Sequence, residues 1–134
     1  MIISRGKFIL FLVLFIGLYS TAQEKAAYRL IVFEGSDWCS NCLRLERNVL
    51  SQSSFDVYRL SKSMQIERID FPQRNEQDKA TKEYNAKMAD QYNFQGTFPT
   101  VLLVDTEDGA YQQIPYRKQN VDQFIGLIEN AMSQ

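Results

Sequence analysis

The chemistry in this chain converges on Ser36-Asp37-Trp38-Cys39-Ser40-Asn41-Cys42, which holds both cysteines, spaced C-x-x-C, behind the only tryptophan. Two residues between the cysteines let the second sulfur reach the first within one helical turn. A disulfide attacked by one sulfur could then be released by the other. The flanking sequence fits that use. An apolar run, Tyr28 to Phe33, leads in, and a helical run, Leu43 to Leu50, leads out. A strand, a tight turn and a helix would place Cys39 in the helix's first turn, where the dipole favours thiolate over thiol.

Two other uses of C-x-x-C stay open. Half of a zinc site would need about four N/S ligands. With no histidine and no third cysteine, such a site could be completed only across a dimer. A purely structural disulfide gains most from closing a long loop, and a two-residue spacer closes almost none.

Composition narrows the classes further. The chain has 134 residues, enough for one domain with its own core, and a formal net charge of −1. That balance points away from nucleic acid and from anionic membrane surfaces. The absence of histidine removes Ser-His and Cys-His nucleophile schemes together with His-ligated metals. No metal or other cofactor is implied. Proton transfer at the thiols must therefore use carboxylates, water or the cysteines themselves.

The first residues read as an export signal. Arg5 and Lys7 form a basic region, and Phe8 to Leu18 is apolar apart from Gly17. The run is shorter than the ~20 residues a membrane-spanning helix needs. Ser20 and Ala22 put small residues where a signal peptidase reads. We expect residues 1–22 to be a signal peptide cleaved after Ala22, and 23–134 to be a monomeric domain in the periplasm or otherwise outside the cytosol. Retention as an uncleaved anchor is the alternative. In an oxidising compartment a lone C-x-x-C pair is oxidised unless a donor keeps it reduced.

Further elements follow from the pattern. Cys42, Leu45 and Val49 form one helical stripe, with Arg44, Arg47 and Asn48 mostly off it. A charged outer face accounts for the arginines, although Arg44 could also favour a thiolate. Ser54 is the expected N-cap of a short helix over Phe55 to Leu60. Met64 to Phe71 reads as a strand whose alternation slips, as in a central strand or one with a bulge. Gln73 to Tyr92 reads as a helix with Ala80, Tyr84 and Met88 on one face, closed by Asn93 to Gly96. Thr97-Phe98-Pro99-Thr100 precedes a strand, Val101 to Val104, and Thr106 to Gly109 is a hairpin turn. The partner strand is Ala110 to Tyr116, with Pro115 marking a sheet edge. Asn120 and Gln123 form a capping box. The last helix turns Val121, Phe124, Ile125, Leu127 and Ile128 to the sheet. The order β-α-β-α-β-β-α predicts an α/β fold: one mixed four-stranded sheet, its early strands parallel, with helices on both faces.

This order, with Trp38-Cys39-Ser40-Asn41-Cys42 after the first strand and Phe98-Pro99-Thr100 before the hairpin, resembles the thioredoxin superfamily over nearly all of Tyr28 to Met132. It is most similar to exported members, among them the C-terminal domain of the bacterial transmembrane disulfide reductase. The resemblance implies that Cys39 is the nucleophile and Cys42 the resolving thiol. It also implies a cis Phe98–Pro99 bond beside the sulfurs, where Trp38, Phe98 and Pro99 meet the substrate. Ser40-Asn41 replaces the Gly-Pro that many thioredoxins have between the cysteines. Phe33 stands where many carry a buried aspartate. Glu34 is the candidate substitute for proton transfer, although one step along a strand points to the other face. A carboxylate facing solvent is the plainer reading of Glu34. The extra N-terminal strand and helix of larger members are not expected, since only about five residues would precede Tyr28 after cleavage.

The activity implied is thiol–disulfide exchange with protein clients, more in keeping with a reductase than with an oxidase or isomerase. It would be coupled to an upstream electron donor or acceptor. A reading of another class is a redox-inert module that keeps the disulfide closed and holds extended peptides in the Phe98-Pro99 groove.

Overall fold

The computed structural model describes residues 24–134, so the expected signal peptide and its cleavage point lie outside the described residues. The apolar run forms strand β1, Tyr28–Glu34, and Leu30 to Phe33 have no exposed surface. Each such side chain contributes roughly 1.5–3 kcal/mol of burial, which makes β1 the centre of the fold.

Three more strands flank it: β2 (Met64–Asp70), β3 (Thr100–Asp105) and β4 (Tyr111–Gln113), in the order β2-β1-β3-β4. β2 runs parallel to β1, while β3 pairs antiparallel with β1 and with β4. The mixed sheet is therefore as expected. The β1–β2 register is unbroken from Tyr28↔Met64 to Glu34↔Asp70. β2 is thus an edge strand without a bulge, which corrects the sequence expectation. Its alternation slips because each face changes character midway. Met64 packs on one face, and Ile69 on the other. The other half of each face carries an ion pair, Glu67 with Arg29 on one and Arg68 with Glu34 on the other.

Helices α1 (Ser40–Leu45), α2 (Ser53–Ser61) and α4 (Val121–Met132) cover one face, and α3 (Lys79–Gln91) covers the other. Leu30 and Val32 meet Leu45, Val49, Phe55, Phe124 and Ile128 on the first face. Ile31 and Phe33 meet Ile69, Met88 and Leu102 on the second. After α1 the chain loosens into one π-helical turn, Glu46–Leu50, closed by the Ser51 amide donating to the Glu46 carbonyl at 2.9 Å. The Cys42-Leu45-Val49 stripe is buried throughout, and the Asn120–Gln123 capping box is present.

Three local expectations are corrected. α2 begins after Gln52, not Ser54. The Gln52 side chain is drawn away to the Arg47 carbonyl at 2.7 Å. α3 starts only at Lys79, capped by Asp78, because the amides of Gln73, Arg74 and Asn75 are already engaged by Asp37. Its buried face carries Asn85 and Met88, followed by Tyr92, whereas Ala80 and Tyr84 are exposed. Asn85 is tolerated inside because its Nδ2 donates to the Asp70 carbonyl at 2.7 Å. The fourth strand is shorter than Ala110 to Tyr116, and its three residues are exposed, as on an edge.

Candidate active site

The cysteines sit where β1 ends and α1 begins. Gly35 turns the chain, its carbonyl accepting from the Cys39 amide at 2.9 Å. Cys39 caps α1: its Sγ accepts from the Cys42 amide at 3.2 Å. The two are joined as a disulfide with Cα atoms 5.2 Å apart. Cys39 is 6 % exposed and Cys42 2 %. Among the described residues no cluster of three or more His, Cys, Asp or Glu side chains could hold a metal.

Three successive residues before the pair are tied to the end of β2 and the loop after it. The Ser36 amide and hydroxyl donate to the Asp70 carboxylate at 2.8 and 2.6 Å. Asp37 accepts backbone N–H bonds from Gln73, Arg74 and Asn75 at 2.8–2.9 Å. Trp38 Nε1 donates to the Phe71 carbonyl at 2.8 Å. The bond from the Gln73 amide, with those from its two neighbours, holds the Asp37 carboxyl below its ordinary value near 3.8. A depressed pKa means the clamp is complete above the ordinary value and is lost as pH falls through the lowered one. Asp37→Asn should therefore lower the unfolding midpoint at neutral pH. The gap to the parent should begin to narrow near the ordinary value of 3.8 and close once pH has fallen through the lowered one, where both side chains are neutral. Denaturant titrations in steps from pH 7 down to roughly pH 2 check this. A gap that persists unchanged in acid would mean the carboxylate charge is not what holds the loop.

The Phe98–Pro99 bond is cis, as the resemblance implied. The Phe98 ring meets Trp38 edge-on at 5.2 Å and also touches Phe71 and Phe94, at 5.8 and 5.1 Å. Phe94 in turn stacks on Phe33 at 4.5 Å. An unbroken aromatic series thus runs from the core to the surface beside the disulfide. Phe98 and Pro99 remain partly exposed. Together with Asn41, Thr97, Tyr116, Arg117 and Lys118 they line a groove of about 410 Å³. A larger cavity, about 550 Å³, opens at the other end of the sheet between Arg29, Tyr92 and Tyr111. It contains no thiol.

Phe33 and Glu34 do point to opposite faces. Phe33 joins the α3 side. Glu34 is 7 % exposed and accepts from Arg68 Nη1 at 3.2 Å, and Arg68 also pairs with Glu46 beyond α1. It does not face solvent, which corrects that reading. Burial pushes its carboxyl above the ordinary 4.5, against the opposing pull of Arg68. Arg44 spends a bond on Asn41 Oδ1 at 3.2 Å.

A family model described as a thioredoxin-like domain matches residues 19–130. The chain belongs to the thioredoxin-like family. Among curated proteins it is similar to the disulfide bond reductase DsbH of Chlamydia pneumoniae, with 24% identity over 102 residues. That match takes in 76% of this thioredoxin-like chain but 60% of the relative, so the chain spans less than two thirds of it. Among solved structures, a DsbH oxidoreductase superposes with a TM-score of 0.72 at 24% identity, covering 81% of this chain and 74% of that one. The reduced C-terminal domain of Neisseria meningitidis DsbD gives 0.56 at 19%, covering 78% and 80%. These likenesses establish the thioredoxin-like fold. Several residues that build the site had no signal in the sequence analysis: Asp70, Phe71, Phe94 and Arg68 all join it from distant elements. Asp37 was visible only as a turn residue.

Proposed function

We propose that this chain is an exported thiol–disulfide oxidoreductase acting on protein clients, in the reductive direction. The observation that carries it is the Cys39–Cys42 pair, with Asn41 between them forming part of the groove that Phe98 and Pro99 also line. The relative named a disulfide bond reductase supports the direction. In the reduced protein, the Cys39 thiolate attacks one sulfur of a client disulfide. A Cys39–client bond forms and the first client thiolate leaves, taking a proton from solvent. Cys42 then loses its proton and attacks Cys39 Sγ, expelling the second client thiolate, which is protonated. The client gains two electrons, and the protein is left with the Cys39–Cys42 disulfide. A dithiol donor outside this chain must return those electrons. We assign the proton from Cys42 to Glu34, a buried carboxylate with a raised pKa at the end of the strand that feeds the site.

The test is disulfide exchange with a protein substrate together with the reduction potential. A potential near that of thioredoxin, about −270 mV, is expected, whereas one near −120 mV would make the protein an oxidant. No exchange with any disulfide would leave only a peptide-binding module. Export rests on Arg5, Lys7 and the apolar run that follows them. The secreted protein should begin at or near Gln23, and N-terminal sequencing of a full-length membrane form would reverse this.

A further inference from the structure

The cations of this protein are distributed unevenly. Arg29, Arg59, Lys62, Arg68 and Lys79 each meet a carboxylate within 4.0 Å. Of the described cations that meet none, Arg44, Arg117 and Lys118 gather at or beside the groove next to the disulfide. Arg117 and Lys118 line it, and no carboxylate does. Arg44 is bound to Asn41, which lines it. A formally anionic chain thus presents an unneutralised cationic rim at its most reactive point.

The loop that carries the rim is held in place. Gln119 Oε1 accepts from the Arg117 amide at 2.6 Å, and its Nε2 donates to the Pro115 carbonyl at 2.9 Å. Lys118 is in the left-handed region, φ 63°, a conformation that disfavours a residue with a Cβ and persists only where its surroundings impose it.

We propose that the groove selects client disulfides flanked by acidic side chains, with Arg117 and Lys118 as specificity-determining residues. The occupant is an extended protein segment carrying Asp or Glu close to its cystine. This rests on the oxidoreductase reading and adds the class of client. Like-signed juxtaposition would slow basic clients, and complementary charge would raise the encounter rate, with strong dependence on salt.

The experiment uses the reduced protein, two cystine peptides identical except for Glu or Lys beside the cysteine, and neutral 2-hydroxyethyl disulfide. At low ionic strength the Glu peptide should react about tenfold faster than the Lys peptide, and the preference should fade in ~0.5 M salt. Arg117→Glu with Lys118→Glu should invert the order, and Arg117→Gln with Lys118→Gln should flatten it. The rate of each variant with the neutral disulfide is the reference for its own thiols, and the Glu-to-Lys peptide ratio is read against it. Equal rates for the two peptides, or a preference indifferent to salt or to both double variants, would overturn the proposal while leaving the redox reading in place. Failure to reduce the neutral disulfide would instead remove the redox reading beneath it.

Discussion

Replacing Cys42 with serine should leave a protein that attacks client disulfides but cannot release them. Cys39 caps α1 and is the less buried sulfur, and the Cys42 amide already donates to it. That bond, added to the dipole, favours its thiolate. Cys42 is one turn in, on the stripe with Leu45 and Val49, where apolar burial raises a thiol pKa. The Cys42→Ser protein should accumulate mixed disulfides through Cys39, seen as client-sized adducts on non-reducing gels. Cys39→Ser should form none, and its exchange rate should drop to the uncatalysed background. Glu34→Gln should keep the first step but slow release, moving the acid limb of the pH profile for release alone, since a proton acceptor works only while it is ionised. Adducts trapped through Cys42 would reverse the assignment, and an unmoved profile would free Glu34 of its role.

The second large effect is expected at a residue with no side chain. A Cβ on Gly35 would fall 2.6 Å from Trp38 Cζ2 and closer still to Cε2 and Nε1. No neighbouring flexible tip can yield, because the obstacle is a ring fixed by its bond to the Phe71 carbonyl and its edge contact with Phe98. Gly35→Ala should therefore push the indole out, at a cost of about 1–3 kcal/mol for overpacking. It should also disturb the turn whose carbonyl accepts from the Cys39 amide. We expect a lowered denaturant midpoint and a red-shifted Trp38 emission, with slower exchange than in Ser40→Ala, a variant at an exposed neighbouring position. Parent-like emission and midpoint in the Gly35→Ala protein would show that the indole has room to spare.

Much of this was legible because local pattern and tertiary role agree. The run from Leu30 to Phe33 is apolar for the reason that it is central. The Asn120–Gln123 pair is a helix start wherever it docks. What was not legible depended on partners far away in sequence. β2 read as central because both its faces carry apolar residues; periodicity cannot show that Arg68 and Glu67 cover the other halves with ion pairs. Tyr84 matched the helical stripe, yet its hydroxyl reaches Glu67 at the surface, while polar Asn85 goes inside to meet a strand-end carbonyl. The helix after Phe71 started late because Asp37 had captured the amides it would have used. In the site itself the two cysteines and the proline were found from spacing and resemblance. The carboxylates and aromatic rings that position them come from other elements, and no spacing rule links Phe33 to Phe94.

The polarity of β1 has one more consequence. The chain enters that strand at Tyr28 and meets the reactive turn at its other end, roughly 20 Å away at ~3.3 Å per residue. α4 starts just after the Arg117-Lys118 loop and ends at Met132, which packs beside Tyr28 and the Tyr58 hydroxyl. Entry and exit therefore share one pole, and the disulfide occupies the other. A tether, a purification handle or a surface for immobilisation joined at either end would leave the groove facing outward, free to meet large folded clients.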